Sequence, residues 1–209
     1  MKNLLVIAMA ASAISANAFV WSESGDAGET LSTTQVTSGS GSLDAISGSY
    51  LSEDADLFCI RVMDWSAFSA TTVGGAGSLD TQLFLFTRAG MGIAANDDSA
   101  SGVQSTLNAG NGLYSSRTNG EIVIIGTTLY DRDPVSSGGA IFPDTPFTAV
   151  NGPTGPGGGS ALLGFDANGD TATGDYRIRL TGCAACVPEP ATFAALGLGV
   201  AFLLRRRQK

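Results

Sequence analysis

Between Phe19 and Val187 the apolar residues come in short runs with a period of two or none, and no stretch repeats them at helical spacing. Leu57 to Val62 alternates, with Phe58, Ile60 and Val62 on one face and Leu57, Cys59 and Arg61 on the other. Phe68 to Val73 is rich in β-branched and aromatic residues, and Leu83 to Phe86 is apolar on both faces, as a strand covered from both sides must be. Glu121 to Tyr130 carries Ile122, Val123, Ile124 and Ile125 in succession. Tyr176, Ile178 and Leu180 alternate with Arg177 and Arg179, the pattern of a half-exposed strand. Gly, Ser, Asn and Asp separate these runs. The expectation is an all-β protein, an antiparallel sandwich of short strands.

Two stretches fall outside that pattern. Ser22 to Ser42 is rich in Ser, Thr and Gly and reads as a strand-poor lead-in. Asp131 to Ser160 holds five of the seven prolines and ends in Gly157-Gly158-Gly159. A segment of that length reads as a semi-ordered surface loop, with Ile141, Phe142, Phe147 and Val150 available to pack on a sheet.

The ends of the chain are of another kind. Lys2, the apolar stretch Leu4 to Ala13 and the small-x-small triplet Ala16-Asn17-Ala18 have the order of a secretory signal peptide over residues 1–18, cleaved ahead of Phe19. At the other end stand Val187-Pro188-Glu189-Pro190, an uncharged run from Ala191 to Leu204, and Arg205-Arg206-Arg207-Gln208-Lys209. The 14-residue run would be roughly 21 Å long as a helix, short of the roughly 30 Å hydrocarbon core, but arginine stems snorkel to headgroups and extend the span. The arginine cluster is expected to stay cytoplasmic and the body before Pro188 to lie outside. Pro188 and Pro190 hold the motif extended. The expected organisation is a signal peptide, a body over 19–182 and a tail over 183–209.

This tripartite tail resembles the PEP-CTERM sorting signal, matching it at Pro188, Glu189 and Pro190 and in the apolar run and basic stop. The resemblance implies a transmembrane sorting helix over 191–204, transient inner-membrane anchoring and processing by an exosortase, with a signal peptidase acting at the other end.

Charge narrows what the body can do. Between Phe19 and Val187 there are six Arg, no Lys and eighteen Asp or Glu, a balance of −12. That excludes nucleic acid as a partner held by phosphate neutralisation. The chain has no histidine, so the usual serine and cysteine triads and His-containing zinc sites are not available to it. Neither G-x-S-x-G nor a phosphate-binding G-x-x-x-x-G-K-[ST] occurs. Asp97 and Asp98, adjacent in sequence, would point to opposite sides of a strand, and a turn cap is the simpler reading. A non-catalytic body is the expectation.

Calcium is the one cofactor the sequence raises. Asp166-Ala167-Asn168-Gly169-Asp170 spaces oxygen side chains at alternate positions, with Asp175 close behind. A β-turn centred on Asn168-Gly169 explains the same residues, and Asn96-Asp97-Asp98 offers a second, weaker cluster. Of Cys59, Cys183 and Cys186, a bridge joins Cys183 to Cys186 or Cys59 to one of them, export permitting either. Trp65 and Tyr114 would lie exposed on a flat face in a polymer-binding module; core packing is the preferred reading of Trp65.

Ser52-Glu53-Asp54-Ala55-Asp56-Leu57-Phe58, Asp80-Thr81-Gln82-Leu83-Phe84-Leu85-Phe86, Asn96-Asp97-Asp98 and Asp175-Tyr176-Arg177-Ile178-Arg179-Leu180 together resemble the bacterial pre-peptidase C-terminal domain. The likeness spans Leu43 to Leu180. It departs from that family at Thr87-Arg88-Ala89-Gly90, where an Asp commonly precedes the turn glycine, and in the Asp131–Ser160 segment. The resemblance implies a jelly-roll-like antiparallel β-sandwich, usually a non-catalytic accessory, of which some members bind polymers or calcium. The functional expectation is therefore an exported cell-surface or extracellular-matrix protein associated with polysaccharide; the alternative is an exported hydrolase acting on polysaccharide.

Overall fold

The computed structural model describes residues 18–167, 169 and 171–188. The signal peptide and the sorting helix expected at the two ends lie outside these residues, except for Ala18 and the first motif residues. Among the described residues no helix is long and apolar enough to cross a membrane. The described residues are all-β, with one turn of 3-10 helix at Gly112–Tyr114.

Two large sheets face each other. The first has the order β1 (Phe19–Ser22), β4 (Leu43–Tyr50), β14 (Gly174–Thr181), β6 (Ser69–Thr71), β9 (Thr106–Leu107). The second runs β15 (Cys183–Ala185), β5 (Ala55–Val62), β10 (Glu121–Leu129), β7 (Thr81–Thr87), β8 (Gly92–Asn96), with β2 (Gln35–Val36) also paired to β5. Smaller ladders join β12 (Gly139–Ala140), β11 (Pro134–Ser136) and β13 (Gly164–Phe165), and β16 (Val187–Pro188) with β3 (Ser38–Gly39).

The period-two readings hold where one face of a strand meets the core. On β14, Tyr176, Ile178 and Leu180 are buried and Arg177 and Arg179 exposed. They join Ile46 and Tyr50 of β4, Phe58 and Ile60 of β5 and Val123 and Ile125 of β10 in one core between the sheets. Burying a side chain of this size contributes about 1.5–3 kcal/mol, so these contacts fix the register of both sheets. β10 is the centre of its sheet, pairing antiparallel with β5 and with β7 along most of its length.

The expectation of a purely antiparallel sandwich is corrected. β1 lies parallel to β4, β2 parallel to β5 and β16 parallel to β3. All three additions come from the ends of the body: the lead-in stays strand-poor but supplies β2 and β3, and the chain past Gly182 supplies β15 and β16. The body therefore continues through Val187–Pro188 rather than stopping at residue 182. Such short edge pairings need only open backbone donors and acceptors, which a sheet edge offers to a strand of either direction.

The Asp131–Ser160 segment is not a loose loop. With the residues that follow, it folds β11, β12 and β13 against the outer face of the second sheet. Ile141, Phe142 and Leu162 are buried there with Leu57, Phe84, Phe86 and Ile124, forming a second core. This explains why Leu83 to Phe86 is apolar on both faces. Ala95 and Asn151 exchange backbone hydrogen bonds of 2.8 and 2.9 Å, so the insertion also covers edge strand β8. Gly157 and Gly158 permit the tight folding of this segment, because a Cβ at either would collide with the carbonyl oxygens of Gly139 and Pro153 respectively.

Cys59 of β5 is bonded to Cys186, with Cα atoms 5.5 Å apart. The Cys183–Cys186 bridge is not formed, and strand geometry gives the reason: residues three apart on an extended chain point to opposite faces. Cys183 faces the main core as a buried free thiol, and burial pushes its pKa up to about 12.

Candidate functional site

Among the described residues, three groups of carboxylates bring ionisable oxygens close together. The first forms where β1 ends against β4. The Glu23 N–H donates to the Ser47 carbonyl at 2.8 Å, while its carboxylate accepts from the N–H groups of Ala27 at 2.9 Å and Ser49 at 3.0 Å. Asp56, the second residue of β5, is fully buried. Its Oδ2 accepts from the Tyr176 hydroxyl at 2.7 Å, and its Oδ1 is buried with no hydrogen-bond partner. Tyr176 is held by the ring of Tyr50, 4.4 Å away, whose hydroxyl hydrogen-bonds Thr127 at 2.5 Å. A Cβ at Gly48 would strike the Tyr176 hydroxyl and Glu23 Oε2, so only glycine allows this approach.

Glu23, Asp26 and Asp56 each present an oxygen within 4.8 Å of the others. Burial above all, then the charges of Asp54 and Glu23, raises Asp56 to about 8. Carboxylates this close repel when ionised; a proton or a hard dication ligated by oxygen relieves the repulsion. The protonated state has a measurable consequence. From about pH 4 to about pH 8 the folded protein keeps a proton on Asp56 that the unfolded chain has released, so this group's contribution to stability declines as pH rises through that window. Asp56→Asn keeps the shape and the Tyr176 contact. It is expected to flatten the pH dependence of the urea midpoint over that interval; equal slopes for the two proteins would refute the assignment.

The other two groups, Asp80–Asp97–Asp98 and Asp131–Asp133–Asp144, are assembled in the same way. Asp97 and Asp98 lie just past the end of β8 at Asn96, so the divergence expected of neighbours on a strand does not apply to them, and both present an oxygen beside Asp80. Asn96 secures the bend, its amide donating to the carbonyls of Asp98 at 2.9 Å and Ala149 at 3.0 Å. Burial, then Asp98 and Asp80, raises Asp97 to about 7. Burial, then Asp131 and Asp166, raises Asp133 to about 6. Close to both groups lies Tyr130, 40% exposed and edge-on to Phe147 at 6.2 Å, its phenol pKa raised first by Asp131.

Of the calcium residues expected from spacing, Asp166 and Asp175 are described, and they belong to different parts of the body. Asp166 Oδ1 accepts from the Asp133 N–H at 2.7 Å beside the inserted sheet. Asp175 stands opposite Ser49 on the first large sheet. Asn168 and Asp170 lie outside the described residues. Glu23, Asp26 and Asp56 were missed because their grouping is long-range; the legible signal was a buried acid, Asp56, at the start of a largely apolar strand. Trp65 and Tyr114 are buried rather than displayed. Trp65 packs on Phe68 and Tyr114, each 5.3 Å away, under the Arg117 guanidinium at 5.7 Å, and its indole N–H donates to the Thr118 carbonyl at 3.1 Å.

At the ends of the body, Phe19 opens β1, its N–H donating to the Ser42 carbonyl at 2.9 Å. Val187 and Pro188 form β16, the Val187 N–H donating to the Thr37 carbonyl at 3.1 Å. Ala16, Glu189, Pro190, Arg205, Arg206 and Arg207 lie outside the described residues.

No curated protein and no solved structure matches the chain. Residues 187–208 match the PEP-CTERM protein-sorting motif, which implies export, membrane-anchored sorting and processing by an exosortase.

Proposed function

We propose that the chain is a cell-surface or extracellular-matrix protein whose jelly-roll-like body is non-catalytic and associates with polysaccharide. The observation that carries this reading is the meeting of body and tail. The sorting motif begins at Val187, which is also the first residue of the last strand, so the folded body is the cargo delivered. The exposed ring of Tyr130 beside two groups of carboxylates supports association with sugar, since aromatic faces stack on sugar rings and carboxylates accept from hydroxyls.

The test is recovery of the mature protein from washed extracellular polysaccharide, followed by intact mass and peptide mapping. The expected product begins at Phe19 and lacks Arg205 to Lys209. Peptides containing Lys2 or the arginine cluster count against the processing. Recovery in polysaccharide-free medium alone counts against the association.

A further inference from the structure

A groove of about 610 Å³ opens beside the point where the described chain ends. Leu31, Val36, Ile122 and Val187 supply its apolar wall and Arg61 and Arg88 its charge, with the Cys59–Cys186 bridge beneath. It is the part of the second sheet's outer face that the inserted segment leaves open. Among the described residues no Asp or Glu lines it, although acids outnumber arginines eighteen to six between Phe19 and Val187. Arg61 is fixed at the rim, donating to the carbonyls of Gly120 at 2.9 Å and Cys186 at 3.2 Å. Arg88, exposed in the turn after β7, makes no ion pair among the described residues. Val36 and Val187 are 53% and 47% exposed.

Distance decides what this face meets. From Val187 to Ala191, the first residue of the uncharged run, is four residues, a reach of at most about 14 Å even fully extended. Val187 is itself pinned to the body through Thr37 and β3. If the uncharged run lies in the bilayer, the mouth of the groove cannot move beyond the neighbourhood of the headgroups, a layer roughly 5–8 Å deep.

We propose that this groove is the face by which the anchored body rests on the membrane. Arg61 and Arg88 pair with anionic phospholipid headgroups, and Val36 and Val187 enter the interfacial layer. The inference rests on the reading that the tail anchors the protein. Each arginine near an anionic surface contributes a factor of about five, too little to hold an acidic body alone but enough to orient a tethered one. Cutting the tail therefore releases the body, and while it is attached the groove keeps the Pro188–Pro190 motif against the membrane where its protease works.

The test uses the full chain inserted into phosphatidylethanolamine vesicles with or without phosphatidylglycerol, isolated by flotation and modified with phenylglyoxal. The arginines are built-in reporters: Arg177 and Arg179 are exposed on the opposite sheet. Phosphatidylglycerol is expected to lower modification of Arg88 about five-fold relative to Arg177 and Arg179. Arg88→Glu should float as well as the parent and lose the phosphatidylglycerol-dependent shielding of Arg61. Arg88 as reactive as Arg177 in floated chains, or shielded equally without phosphatidylglycerol, overturns the proposal. So does protection of Arg88 by a soluble polyuronate in detergent, which would make the groove an acidic-saccharide site. A chain that fails to float removes the anchoring reading, and this proposal with it.

Discussion

Reducing the Cys59–Cys186 bridge is expected to lower the stability of the folded body by about 5 kcal/mol, the chain-entropy value for a loop closed over 127 residues. The bridge joins the end of the body to β5, a strand bonded to β10, β15 and β2. Its surroundings share the load only weakly. The Thr37 hydroxyl donates to the Cys59 carbonyl at 2.7 Å and accepts from the Cys186 N–H at 2.9 Å, and each such bond is worth about 1 kcal/mol net. Without the bridge, β15 and β16 are held by those bonds and by edge pairing. The measurement is urea unfolding with and without reductant, beside Cys59→Ser/Cys186→Ser as the chemical control. Cys183→Ser, which leaves the bridge intact, should unfold with the same response to reductant as the parent. A loss under about 1 kcal/mol on reduction would show that the bridge does not constrain the unfolded chain. Because the bridge forms in an oxidising compartment, this dependence also ties the final stability of the body to its export.

What the sequence made legible follows from where its periodicity was enforced. β14 alternates because one face meets the main core and the other meets water, so its reading survived residue by residue. β5, β7 and β10 were legible as strands, and the doubly apolar Leu83–Phe86 run correctly demanded a second covering layer. The layer itself was hidden. Its prolines and glycines look like loop composition, and only the folded chain shows that Gly157 and Gly158 permit tight packing of the segment. The parallel additions β1, β2 and β16 were illegible for another reason: four residues or fewer carry no period, and their pairing is decided by free sheet edges. The acidic group at Asp56 depends on contacts across 120 residues to Tyr176, which no local spacing encodes. The cysteines carried the information to reject one pairing, since alternation separates Cys183 from Cys186, but the partner on β5 needed the three-dimensional register.

Phe142→Ala is expected to destabilise the whole body by about 3–5 kcal/mol, the range for emptying a buried phenylalanine site. Phe142 is 5% exposed and belongs to the segment whose composition reads as loop. Its ring stacks on Phe84 at 5.9 Å and meets Phe86 at 5.8 Å, both on β7. Those two residues face the inserted layer, whereas Leu83 and Leu85 of the same strand face the main core. A cavity at Phe142 therefore loosens one side of a strand whose other side is packed into the centre of the sandwich, and the damage cannot stay in the insertion. Two-state unfolding should persist, with the urea midpoint lowered and its slope unchanged. A loosely attached loop would behave otherwise: the main transition would stay within about 0.5 kcal/mol of the parent, as surface changes do, and a separate early transition would report the loop alone. Tyr130, the residue just before that segment, carries no core packing of this kind and provides the contrast, since its ring is 40% exposed. The ratio of the two effects measures how far the second core is part of one cooperative unit with the first.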